Sequence, residues 1–400
     1  MSLHGGRPID AAFSKIANWL LATSDRPIDL RTLTQELVEK LREAELPLAR
    51  VNLGVFALHP EIAGYAVLWT DAMEAALEVP VRREDTLTPT YLESPIRALV
   101  DLRQPLRYRL EDPEEALDFP VLREFREAGH TDYVGFPLSY SDGGIAVLTF
   151  STARPGGFRD EEIMGFHRLF PILKLLINVT ETQRLAKTVL RTYLGRETGS
   201  RVLAGEILRG QGEEIEAALW LCDLRDFTAM TARIGSPAMI EVMNAYFDCM
   251  AEAVWEEGGE ILKFMGDAML AVFRIDDTRS VESAARSGVE AANRALNRLE
   301  KLSDQRSSEW ELPLRAGIAL HVGTVVYGNI GASSRLDFTV MGSAVNLVAR
   351  IQHLTGTKNE PLLFSRGVAQ HLPGEVESIG VHQFKGVPRP VEVFRSVRRS

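Results

Sequence analysis

Hydrophobic positions recur at helical spacing at the start of the chain and in strand-like runs after it. Ile9, Phe13, Ile16 and Leu20 predict an amphipathic helix, and a similar apolar face predicts another over residues 29–44. Runs rich in β-branched and aromatic residues then predict four strands, over residues 51–58, 64–70, 131–138 and 145–152. The sequence therefore predicts a mixed N-terminal domain, with helices packed on a mostly antiparallel sheet.

A long helical pattern follows, from residue 160 to about residue 204. Pro171 is expected to start or kink a helix there, because proline lacks the N–H of a helical turn. The single apolar face of this predicted helix suits a two-stranded contact between subunits, and it suits equally a helix that packs on its own domain. Gly195 and Gly210 mark breaks before the next domain.

Strands and helices alternate after residue 214. A near-continuous apolar run predicts a strand over residues 217–224, and Ser236-Pro237 predicts a helix with Ser236 as its N-cap. That helix is expected to bury one face, formed by Ile240, Met243, Phe247, Met250 and Val254. Further elements are predicted in this order: strands 261–265 and 269–273, a helix over 281–302, a strand over 315–321, a glycine-rich hairpin and a helix from Ser343. The pattern predicts a β-α-β-β-α-β core, a ferredoxin-like α+β sandwich.

Composition limits the possible functions. A chain of 400 residues exceeds one ordinary core, so two domains are expected. The net charge of −10 argues against a general nucleic-acid binder, which needs a basic face. No uninterrupted apolar run approaches the roughly 20 residues of a membrane span. Cys222 and Cys249 lack metal-ligand or redox spacing, and no signal pattern is present. We expect a cytoplasmic protein.

Two carboxylates are the strongest candidates for chemistry. Asp223 ends the predicted strand 217–224, and Asp267 lies in the turn between strands 261–265 and 269–273. In a ferredoxin-like sheet the first strand pairs with the strand that follows this turn, so both side chains fall at one edge. Two converging carboxylates are what a nucleotide-bound Mg²⁺ requires. Asp226 and Thr228 are better read as local helix caps.

Four segments in order carry a family resemblance. They are Cys-Asp-Leu-Arg-Asp-Phe-Thr (222–228), Lys-Phe-Met-Gly-Asp (263–267), Gly-Asn-Ile-Gly (328–331) and Asp-Phe-Thr-Val-Met-Gly-Ser-Ala-Val-Asn-Leu-Val-Ala-Arg (337–350). From residue 214 onward the chain resembles the class III nucleotidyl cyclases. The N-terminal part loosely resembles GAF-type sensor domains. The expected architecture is thus a GAF-like domain over 1–160, a helical linker over 161–213 and a cyclase domain over 214–400.

The resemblance implies roles for five residues of the site. Asp223 and Asp267 would hold two Mg²⁺ or Mn²⁺ ions. Asn346 and Arg350, four residues apart on one helix face, would orient the ribose and stabilise charge on the phosphate. The family supplies that helix from the partner subunit, so a homodimer with shared sites is expected. Lys385 would contact the terminal phosphates.

The choice of base rests on hydrogen-bonding groups. Lys263 has only donors, so it can serve N1 of adenine but not the N1–H of guanine. The Thr339 hydroxyl can accept from the adenine amino group, and these two positions resemble the purine-specificity pair of the family. The sequence therefore favours an adenylate cyclase, a phosphorus-oxygen lyase that makes cyclic AMP from ATP.

Alternatives remain open at this point. Thr339 stands where adenylate members commonly carry aspartate, so a guanylate or relaxed-specificity cyclase is a second interpretation. A catalytically silent nucleotide-binding module is a third. Asp226 occupies a place where many relatives have glycine, and its carboxylate would repel phosphate or point outward; Ser343 also departs from the usual aspartate or asparagine. An unknown effector is expected at the N-terminal domain, but its histidines and tryptophans predict no site.

Overall fold

The computed structural model describes residues 8–397, apart from residues 60, 142, 311 and 312. The chain divides into two compact units, Met1–Val189 and Leu190–Ser400. The three-part division into 1–160, 161–213 and 214–400 stays a prediction.

The N-terminal unit is built on one antiparallel sheet of six strands. These are β1 Arg50–Phe56, β2 Ile62–Thr70, β3 Leu77–Arg82, β4 Leu106–Tyr108, β5 Asp132–Ser139 and β6 Ile145–Thr152. Their order across the sheet is β3-β2-β1-β6-β5-β4. The prediction of a mostly antiparallel sheet is confirmed, and the likeness to GAF-type sensors stays a prediction.

Among the described residues, six α-helices and one short 3-10 helix, Glu84–Leu87, accompany this sheet. The α-helices are α1 Pro8–Thr23, α2 Leu30–Glu43, α3 Pro89–Leu92, α4 Pro95–Leu102, α5 Pro120–Glu127 and α6 Asp160–Leu194. The start of α2 is set by Asp29, whose carboxylate accepts a hydrogen bond of 2.7 Å from the Thr32 N–H. The predicted helices at 9–20 and 29–44 are both confirmed.

The two faces of the N-terminal sheet differ, because side chains alternate along a strand. On β1, Val51 and Leu53 are buried in a core shared with α1, α2 and the first half of α6. Arg50 and Asn52 point to the opposite face, which lines a cavity.

Helix α6 runs through Pro171 without starting or ending there. The expectation that Pro171 starts a helix is wrong; the preceding turn is already held by burial of Phe166 and Leu169 in the sheet core. By length and composition alone this one helix among the described residues could cross a membrane. Its first half is instead a core helix of the unit, whereas Val179 and Tyr193 in its second half are exposed.

The C-terminal unit is built on a larger sheet. Its strands are β7 Gly212–Leu224, β8 Glu260–Met265, β9 Ala268–Ile275, β10 Ala316–Ala332, β11 Arg335–Met341, β12 Leu362–Ser365, β13 Val376–His382 and β14 Val391–Ser396. The order is β13-β14-β12-β10-β7-β9-β8, and β11 pairs with β10 as a hairpin. Since β7 lies between β10 and β9, with β8 outside β9, the predicted β-α-β-β-α-β core is confirmed.

Helices cover both faces of this sheet. They are α7 Arg196–Leu203, α8 Phe227–Ile234, α9 Ser236–Glu256, α10 Val281–Trp310, α11 Ser343–Lys358 and α12 Arg366–Ala369. Trp220 and Cys222 of β7 are buried on the side of α9 and α10, whereas Leu219 and Leu221 are buried on the side of α11. With both faces covered, β7 is the apolar strand that its sequence predicts.

One prediction about α9 is wrong, and another is confirmed only in part. Gly235, with φ +82°, is the N-cap, and Ser236 is the first helical residue, because α8 ends at Ile234 and only one residue is left for the bend. The predicted buried face is confirmed at Met250 and Val254, and Met243 and Phe247 pack against the same core, but Ile240 is 64% exposed. Met239, Val242 and Tyr246, which the prediction did not include, are buried. Later elements run longer than predicted, because α10 continues to Trp310 and β10 to Ala332.

Candidate active site

Asp223 and Asp267 are brought together by the pairing of β7 with β9. Asp223 lies opposite Ala268 in this antiparallel register, and Asp267 immediately precedes Ala268 in the turn after β8. Gly266 opens that turn with φ +67°, a conformation that glycine adopts without strain. The two carboxyl groups approach within hydrogen-bonding reach of each other.

The electrostatics at Asp223 indicate a group that lacks a counter-ion. Burial, together with the hydrogen bond and negative charge of Asp267, raises the pKa of Asp223 to about 7, against the opposing charge of Arg225. Its Oδ1 atom is buried and has no hydrogen-bond partner among the described residues. A buried orphaned carboxylate oxygen beside a second carboxylate fits a cation.

The donor set is consistent with Mg²⁺ held jointly by protein and nucleotide. No cluster of three or more His, Cys, Asp or Glu side chains with metal-site geometry occurs among the described residues. Mg²⁺ is usually bound through one or two carboxylates, and water and substrate phosphates complete its shell. The pair therefore suffices for a nucleotide-dependent metal site.

Asp226 lies close in sequence to this pair but is oriented away from it. It is at the N-cap position of α8 with φ +58°, and its side chain makes no capping hydrogen bond, so its interpretation as a cap is wrong. Its carboxylate accepts instead from Arg315 at 3.1 Å, and both side chains are mostly exposed. The structure thus favours the outward-pointing alternative.

Arg225 is a residue near the site that the sequence reasoning missed. Its guanidinium donates to the Thr355 hydroxyl at 2.6 Å and passes beside two glycines, Gly317 and Gly356. A Cβ atom at Gly317 would lie 2.5 Å from the Arg225 guanidinium, so no larger residue fits. Glycine inside a buried strand is a signal of such a close approach.

Lys263 and Thr339 lie on β8 and β11. Lys263 donates to the Asp337 carboxylate at 3.1 Å. The Thr339 hydroxyl is buried and has no hydrogen-bond partner among the residues that the structure describes. Asp337 was missed by the sequence reasoning, although it lies two residues before Thr339 and so shares its face of β11.

Asn346 and Arg350 lie one turn apart on the exposed face of α11. The opposite face of this helix is buried against the sheet through Ala344, Val348 and Ile351. Within the described chain, neither side chain makes a hydrogen bond or an ion pair, and none joins them to Asp223 or Asp267. Lys385 is likewise exposed, in the loop between β13 and β14. The structure of one chain thus pairs the carboxylates and leaves these three residues apart from them.

The C-terminal unit resembles a known family of proteins. Residues 213–380 match the family described as the adenylate and guanylate cyclase catalytic domain. The C-terminal unit contains a class III cyclase catalytic domain. This confirms the family resemblance of the four segments, all of which lie inside the matched range.

Individual relatives match over parts of the chain. An adenylate cyclase from Anabaena cylindrica is 36% identical over 155 residues, which cover 38% of this chain and 30% of that protein. Adenylate cyclase 2 from Rhizobium meliloti (strain 1021) is 29% identical over 224 residues, or 54% of this chain and 60% of that protein. The chain therefore spans less than two thirds of the length of either relative. Among solved structures, the adenylyl cyclase CyaB from P. aeruginosa is 24% identical with a TM-score of 0.43, covering 48% of this chain and 97% of that one.

Proposed function

We propose that this cyclase domain converts ATP to 3′,5′-cyclic AMP and pyrophosphate. The observation that carries the proposal is the Asp223–Asp267 pair, in which the buried Oδ1 atom of Asp223 has no hydrogen-bond partner among the described residues. Both residues lie within the range that matches the cyclase family. Adenylate cyclases among the relatives support the same reaction class.

Asp223 and Asp267 are the residues that would hold the metal ions. When bound, Mg²⁺ or Mn²⁺ supplies positive charge to the ribose 3′ oxygen and to the triphosphate. Arg350 adds a planar fork of donors, which is suited to the charge that develops on the α-phosphate during in-line attack. Asn346, one turn away, is placed to orient the ribose.

Adenine is favoured by Lys263 and Thr339. The Lys263 ammonium donates to N1 of adenine and cannot serve the N1–H of guanine. The Thr339 hydroxyl, which is buried and unpartnered in the described chain, accepts from the 6-amino group. Asp337 holds the lysine at this position before nucleotide binds.

The active site is assembled between two chains. Asn346 and Arg350 are exposed on α11, and among the described residues no hydrogen bond or ion pair joins them to the carboxylate pair of their own chain. A partner subunit supplies them to Asp223 and Asp267, so each homodimer contains two shared sites. The N-terminal unit and α6 carry regulation from an effector to this dimer.

One observation favours a second activity. A hydroxyl can donate as well as accept, so Thr339 is also able to bind O6 of guanine, and relaxed purine specificity is the alternative. The full chain is incubated with ATP or GTP and with Mg²⁺ or Mn²⁺, and the cyclic nucleotide is quantified. Cyclic AMP from ATP with little product from GTP supports the proposal; comparable cyclic GMP supports the alternative. Absence of product from either nucleotide under all conditions contradicts both.

A further inference from the structure

A cavity of about 480 Å³ lies on the open face of the N-terminal sheet. Its floor is formed by alternate residues of β1, Arg50, Asn52 and Gly54, with Thr149 of the neighbouring β6. Its cover is formed by the start of α4 and by α5. The volume falls in the range of sites for small organic ligands.

Most of the cavity wall is apolar or aromatic. Side chains from the sheet and from the covering segments supply this surface, among them Ala66, Val81, Tyr91, Ile96 and Phe125. A ligand that fills the cavity therefore carries an apolar body, and the rings on two sides suit an aromatic one.

Arg50 is the exceptional residue of this cavity. Its guanidinium lies over the ring of Phe125, 5.2 Å from the centroid. Among the described residues no carboxylate lies within 4.0 Å of it, and its side chain donates no hydrogen bond. Burial lowers the pKa of Arg50, and the Tyr133 phenol opposes this effect.

Two other partly buried arginines of the same unit are paired with carboxylates. Arg107 contacts Asp132 at 2.9 Å, and Arg154 contacts Glu162 at 2.5 Å. Unpaired buried charge is costly, so a protein keeps it where a ligand supplies the counter-charge. The cation–π contact with Phe125 leaves the donors of Arg50 at the ring edge free for such an anion.

We propose that the N-terminal unit binds a small monocarboxylate with an aromatic or similarly apolar body, whose carboxylate pairs with Arg50. A carboxylate fits better than a phosphate, because Arg50 is a single positive charge and Asp85 adds a negative one at the rim. The Thr149 and Tyr133 hydroxyls on the cavity wall supply neutral hydrogen bonds to the same anion. Binding is independent of the proposed cyclase activity; only its effect on the cyclase rate rests on it.

Binding to the full chain is measured by calorimetry with three probes that share a naphthalene ring: naphthylacetate, the neutral naphthylacetamide and naphthyl phosphate. Naphthylacetate is expected to bind, and the amide to bind roughly 10- to 100-fold more weakly, because it lacks the charge-assisted hydrogen bonds. Equal affinity of acid and amide, or failure of the acid to bind, overturns the proposal. Tighter Arg50-dependent binding of naphthyl phosphate overturns the carboxylate in favour of a phosphomonoester.

Arg50→Met is the matching variant, and Arg42→Met is its control. Arg42 also lies over an aromatic ring, that of Trp69 at 5.5 Å, but outside the cavity. The Arg50→Met chain is expected to bind naphthylacetate about as weakly as the wild type binds naphthylacetamide. The Arg42→Met chain is expected to bind naphthylacetate with the affinity of the wild type. The unliganded Arg50→Met chain is expected to melt at the same temperature as the wild type or above it, since an unpaired charge is removed. A clearly lower melting temperature means that Arg50 serves the fold and contradicts the proposal.

Discussion

Asp223 and Asp267 meet across the end of β7, with one carboxyl group within hydrogen-bonding reach of the other. The two residues are far apart in sequence. The antiparallel register of β7 with β9 brings them together, because it places Asp223 opposite Ala268, the residue after Asp267. The proximity of Asp267 raises the pKa of Asp223 when no metal is bound, and it also places two carboxyl groups side by side as ligands for cations.

Asp223→Asn is expected to lower cyclase activity by about a hundredfold or more, because the site loses a charged metal ligand. The fold should keep or gain stability, since the variant removes a charge that is partly buried beside Asp267. Activity is measured by cyclic AMP formation and stability by thermal unfolding. Asp226→Asn, which alters an exposed carboxylate paired with Arg315, is the control and should keep its activity. Near-normal rates for Asp223→Asn contradict the metal assignment.

Metal binding is expected to depend on pH through Asp223. Its pKa of about 7 lies above the ordinary carboxyl value of about 4, so the metal-free folded chain retains a proton that the unfolded chain has lost between these limits. Stability of the metal-free chain should therefore fall as pH rises through this window. Mn²⁺ must displace the proton, so its affinity should rise up to about pH 7 and then level off.

Calorimetry in buffers of different ionisation enthalpy measures this proton release directly. Asp223→Asn should abolish the release, and Asp226→Asn should leave it unchanged. Mn²⁺ binding with no proton release below pH 7 would show that another group holds the ion.

Thr339→Val separates function from stability. The variant keeps the shape of the side chain and removes a buried hydroxyl without a partner in the described chain, so the free energy of unfolding should rise by about 1 kcal/mol. The kcat/KM for ATP should fall about tenfold, because the adenine amino group loses its acceptor.

Thr355→Val is the control for a partnered hydroxyl. Thr355 donates to the Gln352 carbonyl at 2.6 Å and accepts from Arg225 at the same distance. Its removal should cost about 1 to 3 kcal/mol of stability. A Thr339→Val variant that is destabilised to the same extent, with unchanged ATP kinetics, contradicts the assignment of Thr339 to the base.

Local patterns predicted the parts of the fold that depend on neighbours in sequence. The apolar run of β7 and the turn at Gly266 placed each carboxylate on its element, and the strand order of a ferredoxin-like sheet then brought Asp223 beside Asp267. The helical spacing of apolar residues also predicted the helix from Ser343, in which Ala344 is buried and Asn346 is exposed.

The features that the sequence did not predict depend on packing between residues far apart in the chain. Ile240 matched the apolar period of α9 but is exposed, whereas Met239 is buried in the core of the unit. The contacts of Arg225 with Thr355, and of Lys263 with Asp337, join residues far apart in sequence and depend on strand order. Arg50 gave no signal at all, because its lack of a partner is visible only when every acidic side chain around it is placed.

Mixing two inactive variants tests the shared site most directly. Asp223→Asn and Arg350→Ala each disable both sites of their own homodimer, but a mixed dimer keeps one intact site. Random pairing after co-expression places half of the chains in mixed dimers, so about a quarter of the wild-type cyclic AMP rate should return. Recovery near this level from ATP supports a cyclase whose carboxylates and arginine come from different chains. No recovery from a mixture shown to contain the mixed dimer contradicts that account.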